Sequence, residues 1–218
     1  MMLSFIAFIF LLAFAVHAGM DARYKQGIFE YRDGTREQYD TLDLASFSRV
    51  VFNDQGIRDN GSSFGITISA GNGSNQLLVN KEGRNGFVYK VSNDTLYIFS
   101  NSKDNDVRCL LKCDKITYLS TNIATDINGP ASADSLDISS SSRLNINALT
   151  AAKVRLTLND NSNCLVDSAT NISRLTLDMR GASVFNADNA RLGFGETKFS
   201  PTSVITLSGR SLQPLSRP

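Results

Sequence analysis

The chain has 218 residues, of which 42% are hydrophobic and 20% charged, and its formal net charge is +1. That length suffices for one sizeable core or two small ones. Near-neutrality without any run of five like charges gives nucleic acid or an anionic membrane no footing. The stretch from Asp114 to Ala190, with six Lys or Arg against eight Asp and no Glu, is no basic stripe.

In chain order, residues 1–18 stand apart. Leu3 to Val16 is an almost unbroken apolar run, and Val16-His17-Ala18 before Gly19 resembles a small-x-small cleavage site. The run is shorter than the roughly 20 residues of a membrane-spanning helix. It suits the apolar core of a secretory signal, although no Lys or Arg precedes it. We read residues 1–18 as a signal peptide; an uncleaved anchor helix is the alternative. The expected location is therefore the periplasm, the cell surface or the medium, with no membrane contact beyond this segment.

Residues 19–41 read as a polar spacer, with one short strand around Ile28 to Tyr31 and a turn signal at Asp33-Gly34. Residues 42–113 form an N-terminal β region. Phe47 to Phe52, Phe64 to Ile68, Leu77 to Val79, Phe87 to Val91 and Thr95 to Phe99 are rich in the β-branched and aromatic residues that suit a pleated, half-buried surface. Asn60-Gly61, Asn72-Gly73 and Asn85-Gly86 each fall between two such runs, and Asn-Gly favours the positive φ angles of a tight hairpin turn. The expectation is a mostly antiparallel region. Val107, Cys109, Leu111 and Cys113 alternate with Arg108, Leu110 and Lys112, so both cysteines face a core from one strand, about 13 Å apart and beyond disulfide reach. With Cys164 the count is three, which fits no disulfide framework, and all three read as small buried hydrophobes.

From Asp114 the pattern changes. An apolar-x-apolar pair recurs as Ile116/Tyr118, Leu136/Ile138, Leu156/Leu158 and Leu175/Leu177, and a second apolar position follows as Ile123, Leu144, Leu165, Val184 and Val204. A period near twenty marks a repeat in which each unit buries its apolar face only against its neighbours. Residues 114–209 therefore read as a β-solenoid with rungs of about 19–20 residues. Two hairpin-linked strands of an antiparallel sandwich have a similar repeat length, and that alternative stays open. The last unit is degenerate at Phe194 and Glu196, as a terminal repeat should be. Residues 210–218, with two prolines and no pattern, read as a loose tail.

The set Phe47-Ser48-Arg49-Val50-Val51-Phe52, Phe64-Gly65-Ile66-Thr67-Ile68 and Asn93-Asp94-Thr95-Leu96-Tyr97-Ile98, followed by Leu-x-Leu units from Ile116 to Leu177, resembles the head GIN domain family, whose members are regarded as auto-transporter adhesins of Bacteroidota. The resemblance covers roughly residues 42–209. Where the family often has Ser-Gly in its repeats this chain has Ser-Ser or Asn-Asp, and only Arg180-Gly181-Ala182 comes close. The resemblance implies export and an all-β, right-handed parallel β-helix, and it brings no catalytic residues.

A search for chemistry finds little. The one histidine, His17, lies in the signal segment. A mature chain without histidine cannot run a Ser-His-Asp or Cys-His mechanism and lacks the commonest transition-metal ligand. No Gly-rich phosphate loop is present, and Cys-x3-Cys without His is an incomplete metal set. Asp137, Asp160 and Asp178 lie near matching phases of successive units and could serve carboxylate chemistry, but repeated Asp is more often a turn-former. Asp104-Asn105-Asp106 and Asn159-Asp160-Asn161 lack the Gly and distal Glu of a calcium loop. Asn60, Asn72, Asn93 and Asn171 open Asn-x-Ser/Thr triplets that read as coincidental. Tyr89, Tyr97 and Tyr118 could form a sugar platform, or lie at the core or rim. No catalytic, cofactor-binding or metal-ligating residue is assigned, and no cofactor.

The functional expectation is an exported, non-enzymatic β-solenoid that binds a glycan or a cell-surface protein. The alternatives are a β-helical carbohydrate-active enzyme and a structural protein stacking end to end through an exposed strand edge.

Overall fold

The computed structural model describes residues 28–30, 36–54, 64–70, 73–81, 87–100, 107–129 and 132–216. Residues 1–18, Asp33-Gly34, Asn60-Gly61, Asn72, Asn85-Gly86 and Asp104-Asn105-Asp106, for which the sequence raises expectations, lie outside them. The first eight strands are β1 (Ile28–Glu30), β2 (Arg36–Asp43), β3 (Arg49–Asp54), β4 (Phe64–Ala70), β5 (Gln76–Asn80), β6 (Phe87–Ser92), β7 (Thr95–Ser100) and β8 (Val107–Cys113). Next come β9 (Tyr118–Thr121), β10 (Ala124–Asn128), β11 (Ser132–Ser140), β12 (Arg143–Asn147) and β13 (Thr150–Leu158). The last are β14 (Asn163–Val166), β15 (Asn171–Met179), β16 (Val184–Asp188), β17 (Arg191–Phe199) and β18 (Val204–Ser208).

The protein is all-β, in two mixed sheets. One has the order β1-β2-β5-β8-β4-β10-β12-β14-β16-β18, the other β17-β15-β13-β11-β9-β3-β7-β6. From β9 onward consecutive strands alternate between the sheets, and each pairs in parallel with the strand two places earlier or later. No strand from β9 on pairs with its chain neighbour among the described residues, so the hairpin-linked sandwich does not describe this region. Leu136, Val154 and Leu175 stack in one inward column, and Ile138, Leu156 and Leu177 in the next. All six are buried.

That register corrects the expected repeat in two ways. Leu156 was expected to align with Leu136 and Leu175, but it sits one inward position further along, beside Ile138 and Leu177. Leu158 instead stacks between Ser140 and Met179. In the other sheet the inward column is Thr125, Leu144, Cys164, Phe185 and Ile205. Leu165, Val184 and Val204 therefore stand on the outer face, with Leu165 41% and Val204 51% exposed. Likewise Tyr118 points outward while Leu119 stacks beneath Ile138. The inward place on β10 is filled by Thr125, buried with its hydroxyl donating to Ile123 O at 3.1 Å, so the burial is not left unsatisfied.

The expected antiparallel character of residues 45–100 holds only in part. β2, β5 and β6 pair antiparallel, β5 with both β2 and β8. β3, β4, β7 and β8 pair in parallel and continue the same two columns of strands as β9 and β10. β4 and β5, the runs on either side of Asn72-Gly73 in the sequence, are not partners, because β8 lies between them; Asn72 itself lies outside the described residues. The hairpin forms instead at Asn93-Asp94, where both residues take positive φ (50° and 59°) between β6 and β7. Asp94 also caps the next layer: its carbonyl accepts from Ser48 N and Arg49 N at 3.1 Å, and its carboxylate accepts from Ser48 Oγ.

The corners are built from small and polar residues. Ser162 and Ser183 are buried at one bend, where Val184 N donates to Ser162 O and Val204 N to Ser183 O, each at 2.9 Å. At the opposite bend Leu149, Thr170, Ala190 and Ser211 are all buried, and Ser211 Oγ donates to Ala190 O at 3.1 Å. Within the loose tail expected at residues 210–218, the described residues as far as 216 belong to a 3-10 segment, Gly209–Ser216, that rests on β16, β17 and β18. The reason is that Ser208-Gly209 repeats the turn made at Asp188-Asn189, with Gly209 and Asn189 both at positive φ.

Cys109, Cys113 and Cys164 are free and buried. Burial pushes the Cys109 thiol up to about 12, burial and then the charge of Asp114 push Cys113 to about 12, and burial raises Cys164 as well.

Phe185→Ala should cost about 3–5 kcal/mol in denaturant unfolding, whereas Leu165→Ala, pointing out of the same sheet, should cost less than about 1 kcal/mol; the reverse order would mean that the register is off by one. The folded thiols hold their protons to higher pH than unfolded ones. The stability they contribute is therefore present below about pH 8.5 and declines as pH rises, by up to about 1.4 kcal/mol per pH unit per thiol. Cys164→Ala, although less stable at pH 7, should show a shallower alkaline decline.

Candidate functional site

Alternation decides what the second sheet shows to solvent. With Leu136, Val154 and Leu175 facing in, their neighbours Ser135, Asp137, Lys153, Arg155, Arg174 and Thr176 must face out. Two outer rows result. Ser135, Lys153 and Arg174 are lateral partners across β11, β13 and β15. Arg49, Tyr118, Asp137, Arg155 and Thr176 form a second row across β3, β9, β11, β13 and β15.

The next strand makes this face concave. β17 pairs with β15 irregularly, with register shifts between Ile172 and Leu175 and between Leu175 and Leu177. Gly193 lies so close to β15 that a Cβ there would sit 2.0 Å from Ser173 O, and a Cβ on Gly195 would sit 3.2 Å from Arg174 Nε. Two glycines thus let the backbone close in and leave room for the Arg174 side chain. The result is an open cleft of about 300 Å³ lined by Ser135, Asp137, Lys153, Arg155, Arg174, Thr176 and Glu196, with buried Val154 as its one apolar contact.

The electrostatics of the cleft are uneven. Glu196 is held by Lys198 at 2.9 Å, and a hydrogen bond and the charge of that ammonium, with Arg155 adding to it, keep its carboxyl below the usual range. Lys153 and Arg174 are directly opposed like charges, and among the described residues neither has an ion-pair partner. Beside the cleft the Arg49 guanidinium lies 4.3 Å from the centroid of the Tyr118 ring.

The three aspartates weighed for carboxylate chemistry do not come together. Asp137 lines the cleft. Asp178 belongs to a neighbouring outer row with Thr157, and Arg180 grips it through Nε at 3.1 Å and Nη2 at 2.8 Å. Asp160 sits in a turn against Gly181, whose missing Cβ leaves space for that carboxylate. Asn159-Asp160-Asn161 is such a turn: Asn159 Nδ2 donates to Ser139 Oγ and Ser141 Oγ at 3.3 and 3.2 Å, and Asn161 takes a φ of 62°. Among the described residues no group of three or more His, Cys, Asp or Glu could hold a metal ion. Asn93 serves the hairpin and Asn171 is exposed at the start of β15, while Asn60 and Asn72 lie outside the described residues. Of the tyrosines, Tyr97 and Tyr118 are half-buried on the outer face and Tyr89 is 38% exposed.

Sequence reasoning missed Lys153, Arg155 and Arg174, because a segment that is not basic on average can still gather three of its six cations in one place. The signal was Lys153-Val154-Arg155, two cations flanking an inward valine, with Arg174 preceding inward Leu175. Reading it needed Val154 aligned with Leu175, which the apolar spacing did not supply.

No protein-family model matches the chain, and no curated protein does. Among solved structures it is similar to a candidate adhesin from Parabacteroides distasonis, with 11% identity, a TM-score of 0.54, and coverage of 78% of this chain and 76% of that one. It is also similar to a candidate lipid-binding protein from the same species (10% identity, TM-score 0.47, 79% and 94% covered) and to a candidate adhesin from Bacteroides fragilis (12% identity, TM-score 0.43, 78% and 96% covered). At such identities the first likeness is one of fold alone, and it agrees with an all-β chain of this architecture.

Proposed function

We propose that this chain is an exported, non-enzymatic, adhesin-like binding module built as a right-handed parallel β-helix, with an antiparallel region at its N-terminal end, and that its partner is a glycan or a cell-surface protein. The single observation that carries this reading is the open, polar cleft on an outer sheet face whose strands are held in parallel register by the core behind them. A rigid strand platform presents side chains at fixed intervals, which suits recognition more than turnover. The candidate adhesin from Parabacteroides distasonis, similar in fold, supports the adhesin-like reading, and the apolar run of residues 1–18 supports export. The head GIN resemblance is consistent with both.

The carbohydrate-active enzyme is a weaker reading, because the carboxylates it needs are engaged elsewhere or apart: Asp178 by Arg180, Glu196 by Lys198, and Asp160 in a turn. We expect the chain without residues 1–18 to retain members of a glycan or surface-protein array and to release no reducing sugar or unsaturated product from acidic polysaccharides, with or without calcium. Fractionation of the host should place it outside the cytoplasm. Depolymerisation of any of these polymers, or a cytoplasmic location, would overturn the proposal.

A further inference from the structure

If the chain is a binding module as proposed above, the lining of the same cleft decides what kind of partner it takes. Lys153 and Arg174 face each other across adjacent strands, about 4.8 Å apart in backbone spacing. Like charges placed directly opposite destabilise a sheet, and among the described residues neither is relieved by an ion pair. Arg155 projects from the same face one outward position beyond Lys153. The glycines of β17 hold the cleft open around Arg174 instead of filling it. A cleft that concentrates three cations invites an anion.

The other lining groups narrow the anion. A bare phosphate or sulfate would be repelled by Asp137 and Glu196, which lie in the same cleft. A carboxylate on a polyhydroxylated scaffold carries a single negative charge and can turn its hydroxyls, rather than that charge, toward Asp137 and Glu196. Its charge accepts from guanidinium and ammonium groups, the arginines offering paired N–H donors that match a carboxylate. Its hydroxyls donate to Asp137 and Glu196 and exchange hydrogen bonds with Ser135 and Thr176. A protein partner would seek an apolar centre, whereas the one apolar lining residue here, Val154, is buried. The second outer row continues past Asp137 to Tyr118 and Arg49, so the polar face runs on across neighbouring strands and suits a chain of sugars more than a single one. The volume of about 300 Å³ is at the lower end for a ligand pocket, enough for part of a polymer. We infer that this cleft binds a uronic acid-bearing glycan, with Lys153, Arg155 and Arg174 receiving its carboxylates.

The test measures binding of the full chain to polygalacturonate by affinity electrophoresis. Dextran sulfate, neutral dextran and inorganic phosphate serve as the other arms, and a glycan and surface-protein array is run in parallel. Lys153→Ala combined with Arg174→Ala should weaken polygalacturonate binding by at least about tenfold. Arg143→Ala, an exposed cation on the other sheet, should change it by less than about twofold. The double variant should melt no lower than the parent, since it removes an opposed like-charge pair, so lost binding is not lost folding. Neutral dextran should not bind, and phosphate at equal charge should not compete. Equal loss in Arg143→Ala, tighter binding of dextran sulfate than of polygalacturonate, or competition by phosphate would overturn the uronate assignment. Array binding to neutral glycans or to a protein, unchanged in the double variant, sinks the inference and leaves the binding-module reading standing. Binding to nothing in any arm sinks both.

Discussion

The structure depends on lateral parallel pairing between strands two places apart in the chain. A strand whose apolar residues alternate can bury only one face, and no strand from β9 to β18 does so with the partner next to it in sequence. Each depends on the strand two places away to extend the inward columns, such as Leu136-Val154-Leu175 on one side and Leu144-Cys164-Phe185 on the other. Burial of these columns is the main stabilising term, since apolar area removed from water contributes roughly 25 cal/mol per Å². The cooperativity of the fold therefore lies between strands rather than within local hairpins.

The same pairing creates the cleft. Parallel strands in register place outward side chains in rows, so residues far apart in sequence become lateral neighbours on a rigid surface. Lys153 and Arg174 meet because Val154 and Leu175 share a column behind them. The irregular pairing of β17, permitted by Gly193 and Gly195, then breaks the flatness and turns a row into a cleft. A device that weakens the edge strand β17 as a core element thus shapes the polar surface in front of it, and stability and recognition are linked through one backbone irregularity.

At the two bends the polar residues have structural duties. Serines at one corner hydrogen-bond along the stack, with Ser183 and Ser203 3.3 Å apart and Ser203 Oγ donating to Gly181 O at 3.0 Å. On the face of the other sheet, Asn147 Nδ2 donates to Asn128 Oδ1 at 2.9 Å, a side-chain ladder parallel to the backbone one. Much of the Asn, Ser and Asp in this chain is therefore consumed in holding the stack. That leaves Lys153 and Arg174, without an ion-pair partner among the described residues, as the groups whose presence the fold itself does not explain.

The strand-forming runs and the inward phase of Cys109 and Cys113 were legible in the sequence, because period two is printed in the order of the residues. Lateral register was not. Shifting a strand by two residues leaves each side chain on its own face, so Leu156 fits equally well beside Leu136 or beside Ile138 on pattern alone. A shift of one reverses the faces, and there the largest aliphatic residue misled: Leu165 is outside while Cys164, smaller, is in. Asn-Gly pairs likewise report a tight turn but not which strands flank it in the sheet. Those choices are made by how whole strands fit against their neighbours, a sum over many contacts that no single position carries. The cleft, which exists only as a consequence of those choices, was decided by tertiary structure.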